Sequence, residues 1–529
     1  MLNLIYIEIE NNKISTLKHG AAIKHHVVED GDLLTYSDFF YESHPISLLN
    51  AILIKKEEDE IRIYVDHYSS IPLFYTITEN KILLSNIFNA VSKNVHTNDI
   101  DEIGFWESFL FESPLLDRTL LKDIKIIQAG HYLSIKKKSV VQIQYFTFSY
   151  HERDTKNIIE DCYESLNKID LNLDSKQILF PISGGVDSRL LLGLFKKKSN
   201  AQSIIPITYS YNKSSLEFIY AKKLLKKTNI DYQEHDFHKL DHNSYLKHNA
   251  YLLNITGGLI GAQNSHLLGY LLEKRFDKGS VLISGLFADT IFGYASKTSY
   301  DNNILNNKYY KTAQIFFQKK LISEEIFESI KEDLIELHIQ WEKGSNLKSF
   351  AEFMYIKERT SKFHMQLYNL YRTILDVKLP LLHNDVILSF MGIPTEIKEN
   401  KAIIFHILDK YFPEYKNINN ISSSGRFGSG RGKGMTKLNF YSYILLTIVN
   451  KIILNKLRIP FAFDNPYDTE KQDFYFYRYN RKRWHIDLNY LQKLGLIDKN
   501  KSKQLSKRID GMRNFQLVSN IELLRKIIN

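Results

Sequence analysis

Cysteine is almost absent from this chain. One cysteine, Cys162, occurs in 529 residues, which excludes an intrachain disulfide and a metal site built from several thiolates. It lies in a segment typical of a helix, so we expect it to be a small buried core residue. The chain also lacks a long hydrophobic run. The apolar patch Tyr441 to Leu454 is short and contains Asn450 and Lys451, so we expect no membrane span.

The charge and the histidines point to no special class of partner. The net charge of +10 is spread along a Lys-, Ile- and Asn-rich sequence without a long basic block, and no recognition motif accompanies it. We therefore expect no nucleic-acid partner. The 18 histidines show no zinc-binding spacing.

Polar residues interrupt the first fifteen positions, unlike a signal peptide. The sequence thus favours a cytoplasmic enzyme.

The pattern of apolar and polar residues changes after Phe148. Residues 1–147 alternate in short apolar and polar runs, such as Leu4 to Ile9, and this pattern is typical of packed antiparallel sheets. From 148 to about 420, helical segments alternate with buried strands, which predicts a parallel sheet flanked by helices. Residues 421–529 begin with a Gly/Ser-rich basic loop and continue as a helical extension. We predict three regions with these boundaries, an antiparallel sandwich followed by an α/β domain and its extension.

The most informative segment follows the predicted strand Ile178 to Ile182. Two adjacent glycines there allow a sharp turn and a close approach of the backbone to a ligand. Main-chain N–H groups, two hydroxyls and a helix N-terminus would then form a site for a multiply charged anion. The segment lacks the lysine of a Walker loop. The predicted pyrophosphate-binding residues are Ser183, Gly184, Gly185, Asp187 and Ser188.

An acidic side chain in such a turn indicates a bound cation. Asp187 would repel a bare phosphate, so we expect Mg²⁺ to accompany the anion. Another predicted buried strand, Ser280 to Ser284, is followed directly by Gly285. Ligands of parallel sheets lie at the carboxyl ends of strands, so both strand ends should face one site.

Several segments in this order resemble the class B asparagine synthetase superfamily, which includes β-lactam synthetase and lasso-peptide macrolactam cyclases. The Ser-Gly-Gly-x-Asp-Ser turn is similar to the pyrophosphate loop of ATP pyrophosphatases, and the resemblance runs from about residue 40 to 415. The other matching segments are Val65 to Tyr75, Asp117 to Ile124, Ala129 to Leu133, Glu217 to Ala221, Ser284 to Gly293 and Leu379 to Leu382. The resemblance implies an N-terminal-nucleophile amidotransferase sandwich, an ATP-pyrophosphatase domain, ATP and Mg²⁺ as cofactors, and Asp289 as a second magnesium ligand. It also implies that Ser284 and Gly285 contact the nucleotide.

The first departure from the family concerns its glutaminase nucleophile, a cysteine directly after the initiator Met. Leu2 stands at that position here, and Cys162 lies far away in the sequence. Without a thiolate no group attacks a glutamine carboxamide. We therefore expect the N-terminal domain to be degenerate, with a structural role or a role as a platform for a peptide or partner.

The second departure is Leu286, which replaces an acidic residue that deprotonates the incoming nitrogen in asparagine synthetases. Leucine cannot transfer a proton, so another group must act or the amine must arrive neutral. Asp376 aligns with a family acidic position and is one candidate. The alternative for Asp376 is a salt bridge beneath the sheet.

The third departure concerns a lysine on a C-terminal loop that stabilises the transition states in the family. Simple alignment places Ser424 there. The loop contains Arg426, Arg431 and Lys433, any of which could neutralise charge on a phosphate or an oxyanion, and its glycines would let it close over a nucleotide. The alternative is a disordered basic loop.

Together these features predict an AMP-forming ligase. A substrate carboxylate would be adenylated and then attacked by an amine, in lactam or macrolactam formation or in amidation of a specialised metabolite. The alternatives are asparagine synthesis from free ammonia, amidation of a surface-polysaccharide sugar acid, a catalytically dead scaffold and an RNA-modifying enzyme. The substrate would be a small molecule or a peptide, and a precursor-processing protein is an expected partner.

Overall fold

The computed structural model describes most of the chain, with gaps. The described residues are 4–10, 13–19, 24–28, 51–95, 99–137, 139–150, 156–169, 177–198, 204–210, 216–236, 242–261, 266–274, 276–277, 279–292, 302–398, 401–415, 418, 445, 448–449, 488–508 and 520–525. Within these ranges the secondary structure changes from sheets to a mixture of helices and parallel strands, as the sequence predicts.

Two five-stranded sheets form the first part of the structure. One has the strand order β2-β1-β7-β6-β8 and the other β10-β9-β5-β4-β3. The strands are β1 Ile5–Glu10, β2 Lys13–His19, β3 Lys24–Val28, β4 Ala51–Lys56, β5 Glu60–Val65, β6 Phe74–Ile77, β7 Lys81–Ser85, β8 Lys125–Ile126, β9 His131–Lys136 and β10 Ser139–Gln144. All neighbouring strands are antiparallel except β3 and β4, which pair in parallel.

Alternating sequence explains how these sheets pack. Ile5, Ile7 and Ile9 of β1 are buried, while the residues between them lie nearer the surface, because successive strand residues point to opposite faces. Their side chains join those of Ile63 and Leu133 from the second sheet in one apolar cluster. The predicted sandwich is confirmed, and the parallel β3–β4 pair is its one exception among the described strands.

A third sheet, entirely parallel, lies in the second part of the structure. Its order is β13-β12-β11-β14-β15. The strands are β11 Ile178–Pro181, β12 Ile204–Ser210, β13 Gln233–Asp236, β14 Val281–Ile283 and β15 Asp376–Lys378. Ile178, Leu179 and Phe180 are each about 1% exposed, as expected for a central strand covered on both faces.

Helices occupy most of the remaining described residues. They are α1 Phe88–Ser92, α2 Glu102–Phe111, α3 Ile158–Asn167, α4 Val186–Lys198, α5 Leu216–Thr228, α6 His242–Thr256, α7 His266–Glu273, α8 Ala288–Ile291, α9 Lys308–Gln318, α10 Glu324–Gly344, α11 Phe350–Met354, α12 Met365–Arg372, α13 Asn384–Met391, α14 Thr395–Lys398, α15 Ala402–Tyr411, α16 Leu488–Lys493 and α17 Lys499–Arg508. Short 3₁₀ turns lie at Ile304–Asn306 and Pro413–Tyr415, and a π-helix, Tyr355–His364, joins α11 to α12. Residues 520–525 are also helical. Cys162 is buried in α3, as predicted. No helix of the described ranges is long and apolar enough to cross a bilayer.

The π-helix lies against loops of the first two sheets. Lys357 donates a hydrogen bond to the Ala129 carbonyl at 2.8 Å, and Lys362 donates to the Pro114 carbonyl at 2.7 Å. Both lysines are 2–3% exposed. Arg118, on a loop of the first part, pairs with Asp333 of α10 through two hydrogen bonds of 3.0 and 3.2 Å. Because buried polar groups need hydrogen-bond partners, these contacts tie the sheets to the helices around the third sheet.

Candidate functional site

The glycine turn lies between β11 and α4. Ser183 and Ser188 approach each other across it, with their hydroxyl oxygens 3.2 Å apart. The N–H of Gly185 donates to Oγ of Ser183 at 3.2 Å. A Cβ on Gly184 would lie 2.7 Å from the carbonyl oxygen of Glu217, so the close approach of the two backbones requires glycine. The predicted turn therefore has the compact form that brings main-chain N–H groups and hydroxyls together at a helix N-terminus.

The neighbouring strand contributes the second half of the site. β14 pairs in parallel with β11, so the residues that follow both strands lie at the same edge of the sheet. Ser284 accepts a hydrogen bond from the N–H of Leu286 at 3.3 Å through its hydroxyl. Asp289 lies in the first turn of α8. The structure thus brings Ser284, Gly285 and Asp289 to the edge that carries the glycine turn.

Lys401 joins the two predicted metal ligands. Its Nζ donates to Oδ2 of Asp187 at 2.5 Å and to Oδ1 of Asp289 at 3.0 Å. The lysine side chain is 6% exposed, whereas the two carboxylates retain 22% and 36% exposure. The ammonium is therefore enclosed by the protein, whereas the two acidic side chains are only partly buried.

The backbone of Lys401 has an unusual conformation. Its φ is +58° at the N-cap of α15, a region that L-residues with a side chain rarely adopt. The far end of α15 is fixed against α4, because a Cβ on Gly193 would come 2.6 Å from the ring of Phe412. Backbone strain of this kind persists where the surroundings determine the conformation, and it is frequent at functional sites.

Sequence reasoning missed Lys401. It is one of 70 lysines and arginines, and its immediate neighbours carry no motif. Its partner Asp187 lies 214 positions earlier. Local pattern offers no signal for an ion pair over that distance.

The electrostatics of the three groups follow from burial and from their mutual charges. Burial raises the pKa of the Asp187 carboxyl above its usual value, and Asp289 acts in the same direction against the attraction of Lys401. Burial would also raise the pKa of Asp289, but Lys401, together with His364 and Arg359, holds it below its usual value. Burial would lower the pKa of Lys401, yet the two carboxylates raise it above its usual range. Lys401 is therefore the cation of this cluster.

The two carboxylates fit the expected Mg²⁺. Asp187 Oδ1 is buried and accepts no hydrogen bond from any described residue. Carboxylate oxygens are the ligands that Mg²⁺ prefers, usually one or two from the protein with substrate phosphates completing the shell. No cluster of three or more acidic, histidine or cysteine side chains suited to a metal occurs in the described part of the chain. Asp187 and Asp289 would thus hold the ion only together with a ligand's oxygens.

Asp376 does not join this group. It begins β15, opposite Val281 at the start of β14, and lies two residues, or roughly 7 Å, back from the edge that carries the site. Its Oδ2 pairs with Lys378 at 3.1 Å on the same strand. The structure therefore shows a salt bridge, the alternative interpretation of Asp376, and a catalytic role for this residue stays a prediction.

His364 is a titratable group near Asp289 that the sequence did not single out. Thr360, one turn earlier in the π-helix, shares a 2.8 Å hydrogen bond with Thr290, which follows Asp289. Burial, with help from Arg359, lowers the pKa of His364 to about 4, so its imidazole is neutral near pH 7. Its Nδ1 has no hydrogen-bond partner among the described residues.

The remaining predicted site residues lie outside the described residues. Arg426, Arg431 and Lys433 belong to the segment 419–444, so their roles stay predictions. The same holds for Leu2, at the predicted position of the missing nucleophile. Leu286 is described and is partly buried against the apolar core, where it offers no proton-transferring group.

Two family models match the sequence. Residues 49–146 match a glutamine amidotransferase domain, and residues 175–415 match asparagine synthase. No curated protein sequence matches the chain. Among solved structures, the NH3-dependent NAD synthetase from Campylobacter jejuni, in complex with the nitrate ion, is similar with 14% identity and a TM-score of 0.18, over 36% of this chain and 96% of that one.

Proposed function

Since the chain belongs to the asparagine synthetase superfamily, an ATP-using ligase group, and has an N-terminal amidotransferase-type domain, we propose that it forms amide bonds through an acyl-adenylate. The observation that carries the proposal is the meeting of Asp187 and Asp289 at one sheet edge, beside the glycine turn. A hydroxyl-rich turn at a helix N-terminus suits pyrophosphate, and paired carboxylates suit its magnesium.

The proposed reaction has two steps. An oxygen of the substrate carboxylate attacks the α-phosphorus of ATP, the bond from that phosphorus to the bridging oxygen breaks, and pyrophosphate leaves. The amine nitrogen then attacks the carbonyl carbon, AMP leaves, and the nitrogen gives up a proton. Ser183, Gly184, Gly185 and Ser188 would bind the pyrophosphate. Bound Mg²⁺ would neutralise phosphate charge, and Asp187 and Asp289 would hold it.

Ser284 and Gly285 support binding of the nucleotide in this proposal, because they follow the strand next to β11. The loop cations Arg426, Arg431 and Lys433 stay candidates for stabilising the oxyanion of the second step. Lys401 adds a positive charge at the place where pyrophosphate would leave.

We further propose that the enzyme does not use glutamine. The single cysteine of the chain, Cys162, is 0% exposed, and its Sγ lies 3.7 Å from the carbonyl oxygen of Ser389. It lies in α3, outside the two sheets of the amidotransferase-type region. A buried thiol of this kind suits packing and not nucleophilic attack.

The acceptor is then an amine carried by the substrate or a second substrate. Leu286 supports this choice, since an aliphatic side chain cannot deprotonate ammonia. The proposed products are lactams, macrolactams or amides of a specialised metabolite.

The proposal is tested with the full-length chain, ATP, Mg²⁺ and a panel of carboxylates, including peptides with acidic side chains, each with and without ammonium. Formation of AMP and pyrophosphate is expected with the correct carboxylate, together with loss of the free amine. Formation of ADP and phosphate would contradict the mechanism. Asp187→Ala should lower pyrophosphate release at least a hundredfold. Asp59→Asn, on a side chain that is 82% exposed, is the matched control and should retain activity.

A further inference from the structure

Lys401 contacts both side chains that are proposed to hold the metal. Its ammonium contacts one oxygen of Asp187 and one of Asp289, the two side chains assigned to Mg²⁺ above. Two carboxylates and one ammonium leave a single net negative charge. A site of that charge attracts a divalent cation far less than the bare carboxylate pair would.

The fold holds this ammonium in place. Lys401 has a left-handed backbone conformation directly before α15, and its side chain is 94% removed from solvent. The rest of α15 and the turn after it pack on α4, where buried Arg189 donates to the carbonyl of Ile418 at 2.8 Å. The packing of α15 on α4 therefore fixes the position of Lys401 next to the carboxylates. Lys401 is not a surface side chain that could take many positions.

We propose that Lys401 is a resident counter-ion that keeps the divalent cation from binding to the two carboxylates until a nucleotide is present. This inference rests on the proposed function, because it assigns Asp187 and Asp289 to the metal. A triphosphate supplies the ammonium with a new anionic partner and supplies the metal with further oxygen ligands. The metal would then bind together with the nucleotide. Before that, Lys401 would balance the charge of both carboxylates.

Lys401 also balances the charge of the carboxylate pair. A pair of adjacent carboxylates without a cation is unfavourable, because like charges disfavour each other's ionised form. Lys401 relieves that repulsion in the free protein. Oδ1 of Asp187, which is buried and has no hydrogen-bond partner among the described residues, is left as an oxygen ligand for the metal.

The test measures binding of Mn²⁺ alone, without nucleotide, by electron paramagnetic resonance or calorimetry. Wild type should bind Mn²⁺ weakly. Lys401→Met should bind one Mn²⁺ with a Kd at least tenfold lower, and Lys401→Gln should show the same gain if the methionine variant does not fold. Lys410→Met is the matched control on the same helix, because Lys410 pairs with exposed Glu160 away from the site, and it should bind Mn²⁺ like wild type.

The location of the new binding is checked by Asp187→Asn in the Lys401→Met background, which should abolish the gain. Equal Mn²⁺ affinity in wild type and the folded Lys401 variants would overturn the inference. A gain that survives Asp187→Asn would also overturn it. The titration contains no ATP, so it fails or succeeds independently of pyrophosphate formation, which tests the proposed function.

Discussion

Asn86 and Asn369 hydrogen-bond to each other in both directions across the contact between the first sheets and α12. Nδ2 of Asn86 donates to Oδ1 of Asn369 at 2.8 Å, and Nδ2 of Asn369 donates to the carbonyl oxygen of Asn86 at 2.8 Å. Oδ1 of Asn86 also accepts from the N–H of Ile5 at 2.9 Å. Both asparagines are 1% exposed. One amide pair therefore links β1 to the helical layer around the third sheet.

Replacing Asn369 with alanine should destabilise the protein. The change removes both hydrogen bonds that Asn369 makes with buried groups of Asn86, and the loss of a partner at a buried polar group costs about 1–3 kcal/mol. A lower apparent Tm at fixed pH and salt is the expected result. Asn94→Ala, which removes a partly buried bond to Ala90 within one helical turn, should shift Tm much less. Equal melting of the Asn369 variant and wild type would show that the pair does not contribute to stability.

Gly184→Ala should damage both stability and ATP use. The new methyl group would lie 2.7 Å from the Glu217 carbonyl oxygen, a backbone atom that cannot move without shifting α5. Overpacking of this kind costs about 1–3 kcal/mol, and the displaced turn should raise the KM for ATP. Gly285→Ala offers the comparison, because its methyl group would meet only the end of the flexible Leu191 side chain at 3.3 Å. A Gly184 variant as stable as the Gly285 variant would argue against the close approach.

Asp376→Asn distinguishes the two roles predicted for this residue, a catalytic group and a partner in a salt bridge. Since Asp376 starts its strand and pairs with Lys378, the substitution should leave pyrophosphate release within a few-fold of wild type. The ion pair itself is about one-third exposed on both sides, so its loss should alter stability by less than about 1 kcal/mol. Steady-state assays of pyrophosphate and a thermal melt measure both effects. A loss of activity comparable with that of Asp187→Ala would support the catalytic role of Asp376.

Local sequence was sufficient for the parts of the site that depend on consecutive residues. The apolar run Ile178 to Ile182 and the two glycines after it predicted the strand and the turn, because burial, backbone freedom and helix initiation all act within ten residues. Ligands of parallel sheets bind at the carboxyl ends of the strands, which predicted that Ser183 and Gly285 lie at one edge of the sheet. The parallel pairing of β11 and β14 confirms this placement.

Sequence patterns did not predict the contacts that depend on tertiary structure. Lys401 reaches Asp187 from 214 positions away, and Asn369 reaches Asn86 from 283. The residue type of Asp376 fitted a catalytic role, but its placement depended on the register of β15 against β14. A shift of two residues in that register would move it to the edge of the site, and sequence pattern does not fix register so closely.

Lys357 should make stability depend on pH. It is 2% exposed, its Nζ lies 3.3 Å from Nδ1 of His131, and burial, with help from Lys362, lowers its pKa to about 7 against the attraction of Glu358. Between pH 7 and the ordinary lysine value near 10.5, the unfolded chain keeps a proton that the folded protein has lost. Stability must therefore rise with pH across this window, by at most about 1.4 kcal/mol per pH unit, and below pH 7 the contribution is constant and unfavourable.

The measurement compares Lys357→Met with wild type by chemical denaturation at pH 6, 7.5 and 9. Methionine keeps the length of the side chain and cannot titrate, so the variant lacks the contribution of Lys357 to the pH dependence. Wild type should gain stability relative to the variant between pH 7.5 and 9, by up to about 2 kcal/mol. Lys137→Met, on a side chain that is 77% exposed, should follow wild type at each pH. A difference between wild type and Lys357→Met that does not change with pH would mean that Lys357 stays charged against the Ala129 carbonyl, and that the contact between the π-helix and the sheets holds a permanent buried charge.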